Sequence, residues 1–148
     1  MSTSKILLVD DEPDVRGAIE RRLKREGFDI DMAASATEAA ESIAAADPCF
    51  DVIIADMSME TENSGLDFLK AAFARDIFSE VIVLTAYGSI QNAVECMKRG
   101  AFDYIEKNIP GVEVLDLLVL KIQNAIEHRS SAADVVRAME RRQLAADE

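Results

Sequence analysis

The chain has 148 residues, 49% of them hydrophobic, which suits one domain with a core of its own. Its 28 acidic residues against 16 basic ones give a net charge of -12, which argues against non-specific binding to nucleic acid or to an anionic membrane. Cys49, Cys96 and the single histidine His128 are too few and too scattered for a zinc site.

Both cysteines sit among apolar or helical residues and read as reduced, packed thiols. No stretch approaches the roughly 18 apolar residues of a membrane span. Met1 to Ser4 is too short for a signal peptide, so a cytoplasmic location is expected.

Lys5 to Val9 reads as a first buried strand, running into Asp10, Asp11 and Glu12. Pro13 suits the first position of a helix, with Asp11 or Glu12 near its cap. Val15, Ala18, Ile19 and Leu23 keep a helical period, and Gly27 is the stop. Phe28 to Ala33 alternates, with Phe28, Ile30 and Met32 on one side, and reads as a strand nearer an edge. Ser35 or Thr37 caps a second helix through about Ala46, ended by Asp47-Pro48.

Phe50 to Ala55 is the central buried strand, leading into Asp56 and a polar loop from Met57 to Ser64. Gly65 precedes a third helix with Leu66, Leu69, Ala72 and Phe73 as its stripe. Val81 to Leu84 is a buried strand ending at Thr85. Ser89 caps a fourth helix with Ala93, Val94 and Met97 inward and Gly100 as its stop. Ala101 to Ile105 is a fifth strand, followed by Glu106 and Lys107. Pro110 opens a fifth helix that is apolar nearly all round, from Val112 to Ile122. A helix on one sheet face needs only one apolar stripe, so the surplus suggests a second partner surface. From Arg129 the composition turns to Ala, Arg, Glu and Asp. Ser130-Ser131 offers a break, and Val135, Val136, Met139 and Leu144 suit one more amphipathic helix.

Five alternations of strand and helix imply an α/β fold with a parallel sheet and helices on both faces. A flavodoxin-like doubly wound sheet of five strands, order 2-1-3-4-5, is the common solution at this length. In such a sheet the strand ends bearing Asp10, Asp11, Asp56, Thr85 and Lys107 lie along one edge. Three carboxylates crowded there cannot all stay ionised without compensation. A hard cation such as Mg²⁺ supplies it, and Lys107 adds a further positive charge. Metal, ammonium and a small hydroxyl together suit phosphoryl oxygens. Asp56, at the centre, is the natural carboxylate nucleophile.

With these residues in view, the chain resembles a response-regulator receiver domain of two-component signalling over roughly residues 5 to 128. The resemblance rests on Asp10-Asp11 after Leu-Leu-Val, Asp56 after Val-Ile-Ile-Ala, Thr85-Ala86 after Ile-Val-Leu, and Lys107 after Tyr-Ile-Glu. It implies that Asp56 accepts phosphate from a sensor histidine kinase or a phosphotransfer protein. It implies that Asp11 binds Mg²⁺ directly, Asp10 more often through water, and Ser58 through its backbone carbonyl. Thr85 would hydrogen-bond the phosphoryl group, Lys107 would pair with it, and Tyr104 matches the family's switch aromatic. Such a domain catalyses its own phosphorylation and dephosphorylation and is not a conventional enzyme. Its output face would be the fourth helix, fifth strand and fifth helix, which often forms a homodimer. Residues 1–128 would be the receiver and 129–148 a helical extension or linker, with no direct nucleic-acid or membrane contact.

Two positions depart from the family pattern. Asn108 stands where a cis proline usually follows the lysine; without proline that bond costs about 3 kcal/mol. Glu60 replaces a proline in the loop after Asp56, and with Glu62 adds negative charge near the metal. These departures support an alternative reading, a phosphate-independent scaffold that binds a partner or a second copy. A flavin carrier fits less well, because Asp10-Asp11-Glu12 would repel its phosphate. A phosphohydrolase of the common type wants an acid where Ser58 stands. Each feature also has a plainer reading. Asp10-Asp11 could cap a helix, Thr85 could bond local backbone, Lys107 could be a surface charge, and Tyr104 could pack at an edge. His128 suits the C-terminal end of a helix.

Overall fold

The computed structural model describes residues 3–56, 64–85, 90–107, 111 and 113–146. Strands β1 (Lys5–Val9), β2 (Asp29–Ala33), β3 (Val52–Asp56), β4 (Glu80–Thr85) and β5 (Asp103–Glu106) form one parallel sheet in the order β2-β1-β3-β4-β5. Helices α1 (Pro13–Arg25), α2 (Ala36–Ala45), α3 (Ser64–Arg75), α4 (Ile90–Lys98) and α5 (Val114–Ala146) connect and follow the strands. This is the doubly wound flavodoxin-like arrangement expected from the alternation.

The two sheet faces sort the strand residues by parity. Leu7, Val9, Ile53, Ala55, Val81 and Val83 point to one side, where α2, α3 and α4 contribute Ala39, Ile43, Leu69, Ala72 and Cys96. Ile6, Leu8, Val52, Ile54, Ile82 and Leu84 point to the other, where α1 and α5 contribute Ile19, Leu23, Leu118, Ile122 and Ala125. Strands β3 and β4 are buried along their whole length. A parallel strand covered on both faces has no reason to alternate, so its sequence is a continuous apolar run. Each fully buried Leu or Ile stabilises the fold by roughly 1.5–3 kcal/mol.

Local signals set the helix ends. Pro13 stands at the start of α1, whose cap residue is Glu12 without a side-chain cap bond. Ser35 caps α2 by accepting from the Glu38 amide at 3.1 Å, while the Glu38 carboxylate accepts from the Ala34 amide at 2.7 Å. These two bonds satisfy otherwise orphaned amides at the helix start. Gly27 and Gly100, after α1 and α4, have φ of 95° and 107°, a left-handed conformation that other residues adopt at a cost.

Three expectations are corrected. Val94 and Met97 do not point inward: they are 43% and 36% exposed, and Cys96 is the buried residue of that turn. A nine-residue helix lying on one sheet face buries only a narrow stripe, and here Cys96 occupies it. Ser130-Ser131 makes no break, because α5 runs on for 33 residues, about 50 Å. Serine costs a helix only tenths of a kcal/mol, and Arg129 anchors the helix beside it. His128 therefore lies inside α5 and not at a helix end, with its Nδ1 2.7 Å from Glu80 Oε1. Along the first turns of α5, Leu118, Val119 and Ile122 are buried and Leu120 is exposed, and further along the same helix Val135, Met139 and Leu144 are exposed as well. No helix among the described residues is long and apolar enough to cross a membrane.

Candidate functional site

At the carboxyl edge of the sheet, β1 delivers Asp10 and Asp11, β3 ends on Asp56, β4 ends on Thr85, and Lys107 follows β5. Asp10, Asp56 and Thr85 are fully buried, whereas Asp11 is exposed. Carboxylate oxygens of Asp10, Asp11 and Asp56 lie within 4.8 Å of one another. The Lys107 ammonium donates to Asp56 Oδ2 at 2.8 Å and stands 3.5 Å from Asp10 Oδ2. The Lys107 amide donates to the Thr85 carbonyl at 2.8 Å, so the backbone itself brings Lys107 to the end of β4.

Burial is the leading influence on both titrating partners. It pushes the Asp10 carboxyl above its ordinary value, and the nearby charges of Asp56 and Glu12 act in the same direction. The Glu12 amide and Lys107 oppose that rise without cancelling it. Burial pulls Lys107 down, but its hydrogen bond to Asp56 and the charges of Asp56, Asp10 and Glu12 outweigh this, leaving the ammonium above its ordinary value. Lys107 is thus charged at neutral pH, yet one ammonium faces three carboxylates.

Asp10 Oδ1 accepts from the Glu12 amide at 2.9 Å, while Asp10 Oδ2 is buried and accepts no hydrogen bond among the described residues. A buried carboxylate oxygen without a donor is costly. Three carboxylates supplying an all-oxygen set, one of them with such a free oxygen, fit a hard divalent cation of the Mg²⁺ type.

Tyr104, on β5, is 37% exposed, and its side chain stands at the surface. Ser58, Glu60, Glu62, Ser89, Asn108, Pro110 and Val112 lie outside the described residues, as do the side chains of Leu66 and Ala93. Two arginines escape a reading of the sequence. Arg16, from α1, donates to the Asp10 carbonyl at 2.7 Å. Arg129, at the opposite edge of the sheet, pairs with Asp51 at 3.0 Å and Asp76 at 2.8 Å and fastens α5 there. Their partners lie six, 78 and 53 positions away in the chain, the last counted from Asp76 to Arg129. Only a helix start following the acidic pair, with an arginine one turn in, hinted at the first.

Residues 6–119 match the model of the response regulator receiver domain, and the chain belongs to that family. Among its relatives, PilR, a response regulator protein of Pseudomonas aeruginosa, is 39% identical over 109 residues, which is 74% of this chain and 24% of PilR. ActR, the acid tolerance regulatory protein of Rhizobium meliloti, is 31% identical over 89% of this chain and 68% of its own length. The chain spans about a quarter of the length of most of the curated relatives it matches. Among solved structures, a response regulator receiver domain protein from Clostridium thermocellum superposes with a TM-score of 0.78. It is 32% identical, covering 87% of this chain and 98% of that one.

Proposed function

We propose that this receiver is switched by phosphorylation at Asp56. The observation that carries the reading is the pairing of Lys107 with a buried Asp56 inside a cluster of three carboxylates. The donor would be the phosphohistidine of a sensor kinase or phosphotransfer protein. A carboxylate oxygen of Asp56 forms the new O–P bond as the N–P bond of the phosphohistidine breaks, and the imidazole leaves to take up a proton. Lys107 moves from Asp56 to the arriving phosphoryl oxygens, an interaction stronger for the more highly charged group. Thr85, buried at the adjacent strand end, supplies a hydroxyl donor to that group. Asp10, Asp11 and Asp56 would hold Mg²⁺, which neutralises charge on the phosphoryl oxygens.

The output would pass through α4, β5 and α5. Val94, Met97, Tyr104 and Leu120 are large apolar or aromatic residues left exposed on these elements, where a partner or a second copy could cover them. Phosphorylation biases an equilibrium between two arrangements of Thr85 and Tyr104, and so the shape of this surface. In the longer relatives a receiver is one part of a regulator, and this segment would be the sensing part.

The test is intact mass after incubation with a small phosphodonor such as acetyl phosphate. The wild-type chain should gain one phosphoryl group in Mg²⁺ and little in EDTA, and Asp56→Asn should gain none. A wild-type chain that stays unmodified in Mg²⁺ would leave the phosphate-independent scaffold as the better reading.

A further inference from the structure

The geometry points to Arg16 as a positioning residue for the carboxylate cup, acting through the backbone of Asp10; this rests on the cation-binding reading above. The last rung of β1 is the Asp10 amide, which donates to the Ala33 carbonyl at 3.1 Å. The Asp10 carbonyl lies beyond the strand, at a fully buried residue, and has no ladder partner among the described residues. The half-buried Arg16 reaches back from one turn into α1 and donates its Nη1 to that carbonyl at 2.7 Å. The Arg16 amide meanwhile donates to the Glu12 carbonyl at 2.9 Å, which roots the arginine in the first turn of the helix.

Asp10 is therefore held at three points: its amide by Ala33, its carbonyl by Arg16, and its Oδ1 by the Glu12 amide. What stays available is Oδ2, directed at Lys107 and toward Asp56. The same peptide unit that carries the Asp10 carbonyl leads into Asp11. Fixing its plane fixes the direction from which Asp11 enters the cluster. Arg16 thus bears on the cup through the orientation of the Asp10 backbone, as groups behind a metal's ligands commonly do.

Orientation and charge make opposite predictions. Replacing Arg16 by methionine removes a cation near a cation site, which by Coulomb's law alone would tighten Mg²⁺ binding. Loss of positioning would weaken it. The experiment is Mg²⁺ titration by calorimetry of the wild-type chain, Arg16→Met and Arg16→Lys, well below their melting temperatures. In parallel, exchange of the Glu12 amide is followed by NMR without metal. The expected result is Mg²⁺ affinity roughly tenfold weaker in Arg16→Met. Faster Glu12 exchange should accompany it, and Arg16→Lys, which keeps a donor, should recover most of both. Equal or tighter Mg²⁺ binding by Arg16→Met would overturn the assignment. Should that variant not fold, Arg16→Gln replaces it under the same criterion. A wild-type chain that binds no Mg²⁺ while its Glu12 amide is protected would overturn the cation reading itself, and with it the role given to Arg16.

Discussion

The ammonium of Lys107 lies 2.8 Å from Oδ2 of Asp56, a residue 51 positions earlier in the chain. Both belong to the ends of parallel strands, and Asp56 is fully buried. One cation serving Asp56 and Asp10, with Asp11 beside them, leaves the cup short of positive charge. The predictions below follow from that shortage.

Removing Lys107 should expose it. Lys107→Met leaves two buried carboxylates without their counter-ion, and breaking a fully buried pair costs 3–5 kcal/mol. The Lys107 side chain is 16% exposed, so a loss of about 2 kcal/mol at neutral pH is expected. The deficit should shrink as pH falls and Asp10 protonates, and also on adding Mg²⁺. Chemical denaturation at several pH values, with and without the metal, measures it. A deficit independent of both would mean that the lysine contributes only packing.

Asp10 should be unfavourable to the fold. Its pKa is raised above the ordinary 3.8, chiefly by burial, so the folded state holds the Asp10 proton to a higher pH than the unfolded chain does. The Asp10 contribution to stability is then complete below 3.8 and is lost as pH rises through the folded value. Glu80, also raised chiefly by burial although His128 and Arg129 oppose it, adds slope in the same direction above its ordinary 4.5. Asp10→Asn should therefore stabilise the metal-free chain at neutral pH by roughly 0.5–2 kcal/mol. It should also flatten the pH profile and weaken Mg²⁺ binding. Melting curves across pH would show this, and a lower melting temperature for Asp10→Asn at pH 7 would contradict it.

At the other edge of the sheet, Arg129 holds α5 down. Its guanidinium pairs with Asp51 and Asp76. Burial lowers its pKa, but these two partners more than compensate. The contact should accordingly persist across ordinary pH and weaken with salt. Arg129→Met should cost roughly 1–3 kcal/mol, since it strands two half-buried carboxylates. Amide exchange should then speed up from residue 129 to the end of α5 more than in α1. Uniform acceleration across the chain would argue against a local anchor.

Much of this was legible before any coordinates. Leu7-Leu8-Val9, Val52-Ile53-Ile54 and Val81 to Leu84 announce strands buried on both faces, and Gly27 and Gly100 announce the left-handed turns after two helices. The site residues could be gathered because a parallel sheet puts all strand ends on one edge. What stayed hidden depends on long side chains and on the rotation of short helices. The orientation of α4 turns on which of Val94, Cys96 and Met97 meets the sheet, and all three are apolar. Arg129 and His128 find partners far away in sequence, so no local pattern carries their pairing with Asp51, Asp76 and Glu80. The serine pair suggested a break because a sequence does not display the anchor that keeps the helix going.

The most direct measurement is to locate the modification itself. The chain is phosphorylated with a small phosphodonor in Mg²⁺, the acyl phosphate is reduced with borohydride, and the peptides are sequenced by mass spectrometry. Homoserine at position 56, dependent on the metal and greatly diminished in Lys107→Met, is the predicted result. Homoserine at another aspartate, or the same yield at position 56 without Mg²⁺ and without Lys107, would contradict the account.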